Sequence, residues 1–379
     1  MLRLLTAGES HGKSLLALVD GFPAGLTVDV EAINSQLQRR QGGYGRGGRQ
    51  KLEIDTVDFL SGLWQGQTLG SPLAMAVVNR DAKLERLKEL ERPRPGHGDL
   101  TGAIKYLGSI RGVLERASAR ETAVRVAAGA LAQQLLAQFG VRVFGYVVQL
   151  ESIAVPPREM SPEQQQSVRD ASPMYTLNPD LDAALVARVD QATAAGDTLG
   201  GVVEVVASGL PFGLGSHAQW DQKLDGQLAQ AVMSIQAIKG VEIGLGFEAA
   251  RRPGSQVHDE IAFNPEGQQS ASLGYERRTN NAGGLEAGMT NGQPLVLRAA
   301  MKPISTLRRP LASINLETKQ SESAAYERSD VCALAACSVI VEQVVAFTLA
   351  QSFCEKFGHD SLVEMQARYQ AFHELARAR

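Results

Sequence analysis

Cysteine is scarce in this chain, and the three present, Cys332, Cys337 and Cys354, lie in an apolar stretch without CxxC or Cys/His spacing. An odd number cannot all pair, and the pattern offers neither a disulfide framework nor a metal site, so buried reduced thiols and no metal are expected. An excess of positive charge is also missing. The 38 Lys and Arg stand against 41 Asp and Glu, a formal net charge of −3, so no global basic field draws the chain to nucleic acid or anionic membrane. Long hydrophobic runs are lacking too: the uncharged stretch 126–141 contains Gln133, Gln134 and Gln138 and falls short of a membrane span. The N-terminus runs from Met1 straight to Gly8-Glu9-Ser10, leaving no room for a signal peptide. With no Pro/Ser linker, low-complexity tract or short repeat, residues 1–379 are expected to form a single cytoplasmic domain. Any anion must be bound locally.

What is present is apolar surface, 44% of the residues, arranged in two helices that are apolar nearly all round. Ser118 is expected to cap one that runs to Phe139 and stops at Gly140, with Glu121 completing a capping box. Asp330 is expected to open the other, from Val331 to Phe357. Asp29 is placed to cap a shorter helix from Val30 to about Arg40. Strand-like runs cover 53–60, 73–78, 141–150, 201–207, 241–247 and 294–299, without regular βαβ alternation. Helices apolar all round need cover on two sides, so an α+β layered sandwich is expected, with buried helices between sheets.

Gly8-Glu9-Ser10-His11-Gly12-Lys13-Ser14 comes close to a phosphate-binding P-loop, but Ala7 occupies the place of its first glycine. Any helix after Ser14 would end within two turns at Gly21-Phe22-Pro23, so a strand is at least as good a reading there. That weakens a kinase or ATPase assignment. His11, flanked by glycines, is accessible and suited to proton transfer near neutrality, although a histidine satisfied in a turn explains it equally if taken alone. Arg94-Pro95-Gly96-His97-Gly98-Asp99 repeats the theme. Arg39 to Lys51 concentrates Arg39, Arg40, Arg46, Arg49 and Lys51 among glycines, a local anion site. An RNA-binding Gly/Arg segment is the competing reading, and 5% aromatics weakens it. Arg116 to Thr122 places two arginines and a serine at a helix start, where a phosphate is favoured.

These segments, with Asn281-Ala282-Gly283-Gly284, Lys302 to Thr306 and Arg328-Ser329-Asp330-Val331-Cys332, resemble one family in order along almost the whole chain: the chorismate synthases. The resemblance implies a β-α-β sandwich with antiparallel sheets and a homotetramer. It implies trans-1,4 elimination of phosphate from 5-enolpyruvylshikimate 3-phosphate to give chorismate, with reduced FMN as cofactor and NADPH as a possible reductant. By its pattern His11, His97, Asp330, Ser10 and Ser118 would be catalytic. Arg116, Ala117, Ser118, Gln236, Ala237, Gly288, Lys302, Pro303, Ile304, Ser305, Thr306 and Arg328 would bind FMN. Arg40, Arg46 and Arg49 would bind substrate or NADPH. Ala117 and Ala287 stand where the family more often has serine and glycine, changes that cost one hydrogen bond and add one methyl group.

Overall fold

In the computed structural model, which describes residues 1–48, 52–327 and 329–379, two antiparallel sheets enclose a helical layer. The first sheet joins β1 (Arg3–Ala7), β2 (Ser14–Asp20), β3 (Asp58–Ser61) and β4 (Leu73–Val78) in the order β1-β2-β4-β3. The second joins β5 (Arg142–Leu150), β6 (Ile153–Ala154), β7 (Gly201–Ser208), β8 (Ile238–Ile243) and β9 (Leu295–Met301) in the order β8-β9-β7-β5-β6. Strand β2 alternates strictly: Leu15, Ala17 and Val19 are buried against the helices, while Leu16 and Leu18 face outward.

Between the sheets lie α1 (Val30–Gln41), α4 (Thr122–Ala137) and α8 (Leu334–Phe357); α2 (Asp99–Tyr106) and α3 (Ile110–Ala117) pack on each other, and α5 (Pro162–Ala171), α6 (Asp182–Ala195) and α7 (Leu224–Met233) fall between α4 and α8 in sequence. Helix α4 packs on the first sheet and α8 on the second, and the two cross closely because Gly129 has no side chain. A Cβ there would stand 2.2 Å from the Gln343 carbonyl oxygen, so only glycine permits the approach. One apolar core runs through both sheets, from Leu2 to Met365. Helix α8 is the one helix among the described residues long and apolar enough to cross a membrane, yet 94% of that window is buried inside the fold. Cys332, Cys337 and Cys354 are free and buried, and burial raises their thiols to about 11, 12 and 12.

The layer order agrees with expectation, but several boundaries do not. Ser118 caps a short 3-10 turn, Ala119–Glu121, through the Arg120 amide, and α4 begins only at Thr122. Glu121 turns away from the expected capping box to meet Thr6 and Arg125. Asp330 lies before α8 without capping it. The strand expected over 53–60 is shortened to β3, because Glu53 and Asp55 are buried carboxylates drawn to Arg120 and, for Asp55, to Arg40 as well. The glycine-rich segment that follows the buried Arg40 is mostly half-buried over 41–48.

Candidate active site

The loop of residues 8–13 turns tightly between β1 and β2. Gly8 adopts φ +102°, and a Cβ on it would meet the Ser14 carbonyl oxygen at 2.4 Å. Asn79 clamps the turn by donating to the carbonyls of Glu9 and Gly12, while its own oxygen accepts from Arg120 Nε. His11 is thereby set against Glu115 of α3. Glu115 accepts from the His11 amide at 2.8 Å and lies 3.0 Å from Nδ1, so Nδ1 carries a proton, since a carboxylate only accepts. Nε2 stands 3.6 Å from Asp81. Burial works against the charge of Glu115, but the bonds from His11 and the neighbouring Arg111 outweigh it and hold its carboxyl below the ordinary range. Ser10, buried, accepts from the Ser118 hydroxyl at 3.2 Å. Because the segment after Ser14 is strand β2 and not a helix, a Walker-type nucleotide cradle is excluded.

His97 is built on the same plan. Its Nδ1 lies 2.5 Å from Asp99, the first residue of α2, whose carboxylate is fully buried. Arg94 holds Asp99 with two guanidinium bonds, at 2.8 and 3.0 Å, and reaches Thr306 with a third. Burial opposes the Asp99 charge, yet His97 and Arg94 keep its carboxyl well below the ordinary range. Lys302 donates to the Gly96 carbonyl beside it, and burial, then the Lys239 charge, lowers the pKa of Lys302.

Short contacts, together with neighbouring positions along the chain, link these parts into one circuit. Arg116 bonds Thr6, Thr6 bonds Glu121, and Glu121 meets Gln236. The Ala237 carbonyl accepts from the Lys302 amide, and Lys302 leads to Gly96 and His97. Thr306 accepts through its carbonyl from Ser329, next to Asp330, and Asp330 pairs with Arg46 at 3.1 Å and with the Gly47 amide at 2.6 Å. Arg40 donates to the Ala119 carbonyl, one residue from Ser118. Burial pushes the pKa of Arg40 down to about 10, with Asp55 opposing the shift and the Arg120 and Arg46 charges adding to it.

Most residues singled out in the sequence thus come together, though not all in the expected role. Arg40 is 4% exposed and each guanidinium nitrogen already has a protein partner, so it braces the loop instead of offering a free cation. Pro303, Ile304 and Ser305 follow Lys302 on the segment that ends at Thr306, and Ile304 is tied through its carbonyl to Thr198. Ala117 precedes Ser118 at the end of α3. Gly288, at φ +81° against Lys223, has its carbonyl bonded to the Leu224 amide, and no bond among the described residues ties it to the circuit. Arg49 and Arg328 lie outside the described residues. Sequence reasoning passed over Glu115 and Asp55, although Glu115 directly precedes the Arg116 to Thr122 segment it did find, and it read Glu121 only as a capping-box partner of Ser118. A cleft of about 600 Å³ between Glu242, Phe247, Arg251 and Arg298 lies beside strand β8 and includes none of these residues.

The sequence profile described as chorismate synthase matches residues 2–354. The chain is 52% identical over 393 aligned positions to the chorismate synthase of Geobacter sulfurreducens, covering 100% of each sequence. It is 54% identical to that of Trichlorobacter lovleyi, covering 96% of this chain and 97% of that one. A crystal structure of chorismate synthase superposes with a TM-score of 0.82 at 41% identity, covering 100% of this chain and 99% of the other. Sequence and fold together place this chain in the chorismate synthase family.

Proposed function

We propose that the chain catalyses trans-1,4 elimination of phosphate from 5-enolpyruvylshikimate 3-phosphate to give chorismate, with reduced FMN, as a cytoplasmic enzyme of aromatic amino acid biosynthesis. Family membership carries the activity. The observation that supports the residue roles is the circuit of contacts that links two carboxylate-backed imidazoles with Asp330 and several cations. One apolar core through both sheets supports treating 1–379 as a single domain.

The circuit also suits an anionic flavin nucleotide. Gln236 Oε1 and Arg46 Nε are buried polar atoms without a partner among the described residues, an arrangement that calls for a polar ligand. Arg116, Ala117, Ser118, Gln236, Ala237 and Lys302 to Thr306 would hold the cofactor, and the resemblance adds Gly288 and Arg328. Reduced FMN supplies an electron-rich partner for C–O cleavage in a reaction without net redox change. His11, with Nδ1–H fixed on Glu115, delivers a proton from Nε2 to the departing phosphate and so improves the leaving group. His97, fixed on Asp99, stabilises negative charge on the reduced cofactor. Asp330, held by Arg46 and the Gly47 amide, receives the proton lost from the substrate ring, with Ser10 and Ser118 as hydrogen-bonding members of the relay. Arg46 and Arg49 are the cations offered to the substrate's anionic groups, or to NADPH.

The deciding assay combines enzyme, chemically reduced FMN and 5-enolpyruvylshikimate 3-phosphate without air and follows chorismate and phosphate together. Stoichiometric release of both is expected, and absence of product would sink the reading. Replacing reduced FMN by oxidised FMN plus NADPH tests the reductant: turnover supports NADPH-dependent reduction by this chain, and none assigns reduction to a separate enzyme.

Association into a homotetramer belongs to the same proposal. The chain exposes 18254 Å², whereas a folded monomer of its 40.6 kDa exposes about 15,000 Å² by area–mass scaling. Part of the surplus is the outer face of the first sheet, where Leu5, Leu16, Leu18, Leu60 and Val78 are each at least 40% exposed and Leu5 stands opposite Leu18. A contiguous apolar face of this kind is rare on a monomer. Leu16→Asp combined with Leu18→Asp is expected to lower the mass seen by light scattering to that of a smaller assembly while keeping the helical spectrum. An unchanged mass would remove this face from the interface.

A further inference from the structure

Resting on the reading of His11 as the acid for the leaving phosphate, we infer that Glu115 is a positioning residue for that histidine. Its carboxylate fixes the imidazole with the proton on Nδ1 and Nε2 on the side of Asp81, and it governs proton delivery without holding either ligand.

His11 sits on a glycine-flanked turn, which by itself would leave the ring free to rotate. Glu115 removes that freedom three times over. Its carbonyl accepts from the Ser10 amide at 2.9 Å, its carboxylate from the His11 amide at 2.8 Å, and the same carboxylate from Nδ1 at 3.0 Å. The carboxylate is also well anchored. Glu115 is 1% exposed and belongs to α3, whose Ile110 and Leu114 pack with Ala103 of α2 in a small core of their own, and whose first turn is capped by Ser109. The imidazole therefore takes its orientation from a helix, not from its loop.

The charged groups facing His11 include, among the described residues, Glu115 on Nδ1 and Asp81 on Nε2. Behind them stand Arg111, 3.6 Å from Glu115 and bonded to Glu327, and Lys83, 2.9 Å from Asp81. A carboxylate accepts from the backbone N–H and from Nδ1–H at once. An amide of the same shape carries no charge and puts an NH2 donor in place of one of the two oxygens, each 3.0 Å from Nδ1, so Glu115→Gln favours Nδ1 as the acceptor. The proton then moves to Nε2 of the neutral ring, and the imidazolium loses the anion that stabilises it.

The test compares Glu115→Gln and Glu115→Asp with the parent in the reduced-FMN assay, together with nitrogen NMR of the histidine-labelled protein. The parent is expected to show His11 protonated at Nδ1. Glu115→Gln should lose that signature and lower kcat by about 10–100-fold, the usual effect of removing a partner that orients a reacting group, with both Michaelis constants within about 2-fold. Glu115→Asp should keep the signature and recover part of kcat. Unchanged kcat in Glu115→Gln, a loss confined to the Michaelis constants, or a parent His11 unprotonated at Nδ1 would overturn the inference. Should Glu115→Gln fail to fold, the parent spectrum and Glu115→Asp decide it alone. Failure of the parent to make chorismate would instead overturn the proposed function, leaving the tautomer measurement intact.

Discussion

His11→Ala is expected to slow turnover roughly 10²–10⁴-fold, the range lost when a general acid is removed. The loss should fall on kcat more than on the Michaelis constants. The turn that carries residue 11 is held by Asn79 and by the Ser10 amide, not by the imidazole, so the binding surface persists. His97→Ala should lose activity over the same range, with an added weakening of cofactor binding, because Asp99 would keep Arg94 but lose its imidazole. His373→Ala provides the contrast. That ring is buried against Tyr369 at 4.5 Å between centroids in the C-terminal helix, so its loss should affect stability and leave kcat nearly unchanged. Steady-state rates with chemically reduced FMN check all three, and near-normal turnover in both His11→Ala and His97→Ala would reject their assignment.

The different structural settings of these histidines were legible in the sequence because they rest on local composition: His11 and His97 are flanked by glycines, and His373 is in a helical pattern. The buried helices were legible for a similar reason, since the apolar residues of α4 and α8 go all round the axis and demand two covering sheets. What the sequence concealed was the matching of charges across long separations. Glu115 lies 104 positions from His11, and nothing in its neighbourhood marks it as a ligand for Nδ1. Glu121 has the spacing of a capping box with Ser118, but Thr6 and Arg125 draw it away. Glu53 and Asp55 read as part of a strand until Arg120 and Arg40 claim them, and Arg40, which looks like a free cation of a glycine-rich loop, is consumed in the same exchange. A buried carboxylate is tolerated only with its partners in place, so its meaning is carried by residues distant in sequence.

The same logic predicts the largest stability effect, at Glu342. This residue interrupts the apolar run of α8, is 2% exposed, and accepts from Arg39 at 3.2 and 3.3 Å, Arg169 at 3.2 Å, Gln133 at 3.1 Å and the Gly145 amide at 2.8 Å. Burial opposes its charge, but Arg39 and Arg169 outweigh burial and hold the carboxyl below its ordinary range. The two arginines respond oppositely. Burial works against the charge of each, yet Glu342 prevails for Arg39 and raises it, while Arg169, with Arg39 as a like-charged neighbour, is lowered. Glu342→Gln keeps the shape and removes the anion, leaving two guanidiniums in the interior, and is expected to cost about 3–5 kcal/mol. The lower end is favoured because Asp170 also meets both arginines. Urea unfolding at fixed protein concentration measures it, and a loss under about 0.5 kcal/mol would show that the charge is not needed. The pH dependence has a definite sign. A carboxylate with a lowered folded pKa contributes its full stability above the unfolded value of about 4.3, and the contribution disappears as pH falls through the folded value. The parent should therefore lose stability on acidification below that point, and Glu342→Gln should lose less over the same interval. Replacing all three charges together, with Arg39→Met, Arg169→Met and Glu342→Leu, should recover most of the loss, because the penalty belongs to the unmatched cations and not to the absence of a salt bridge.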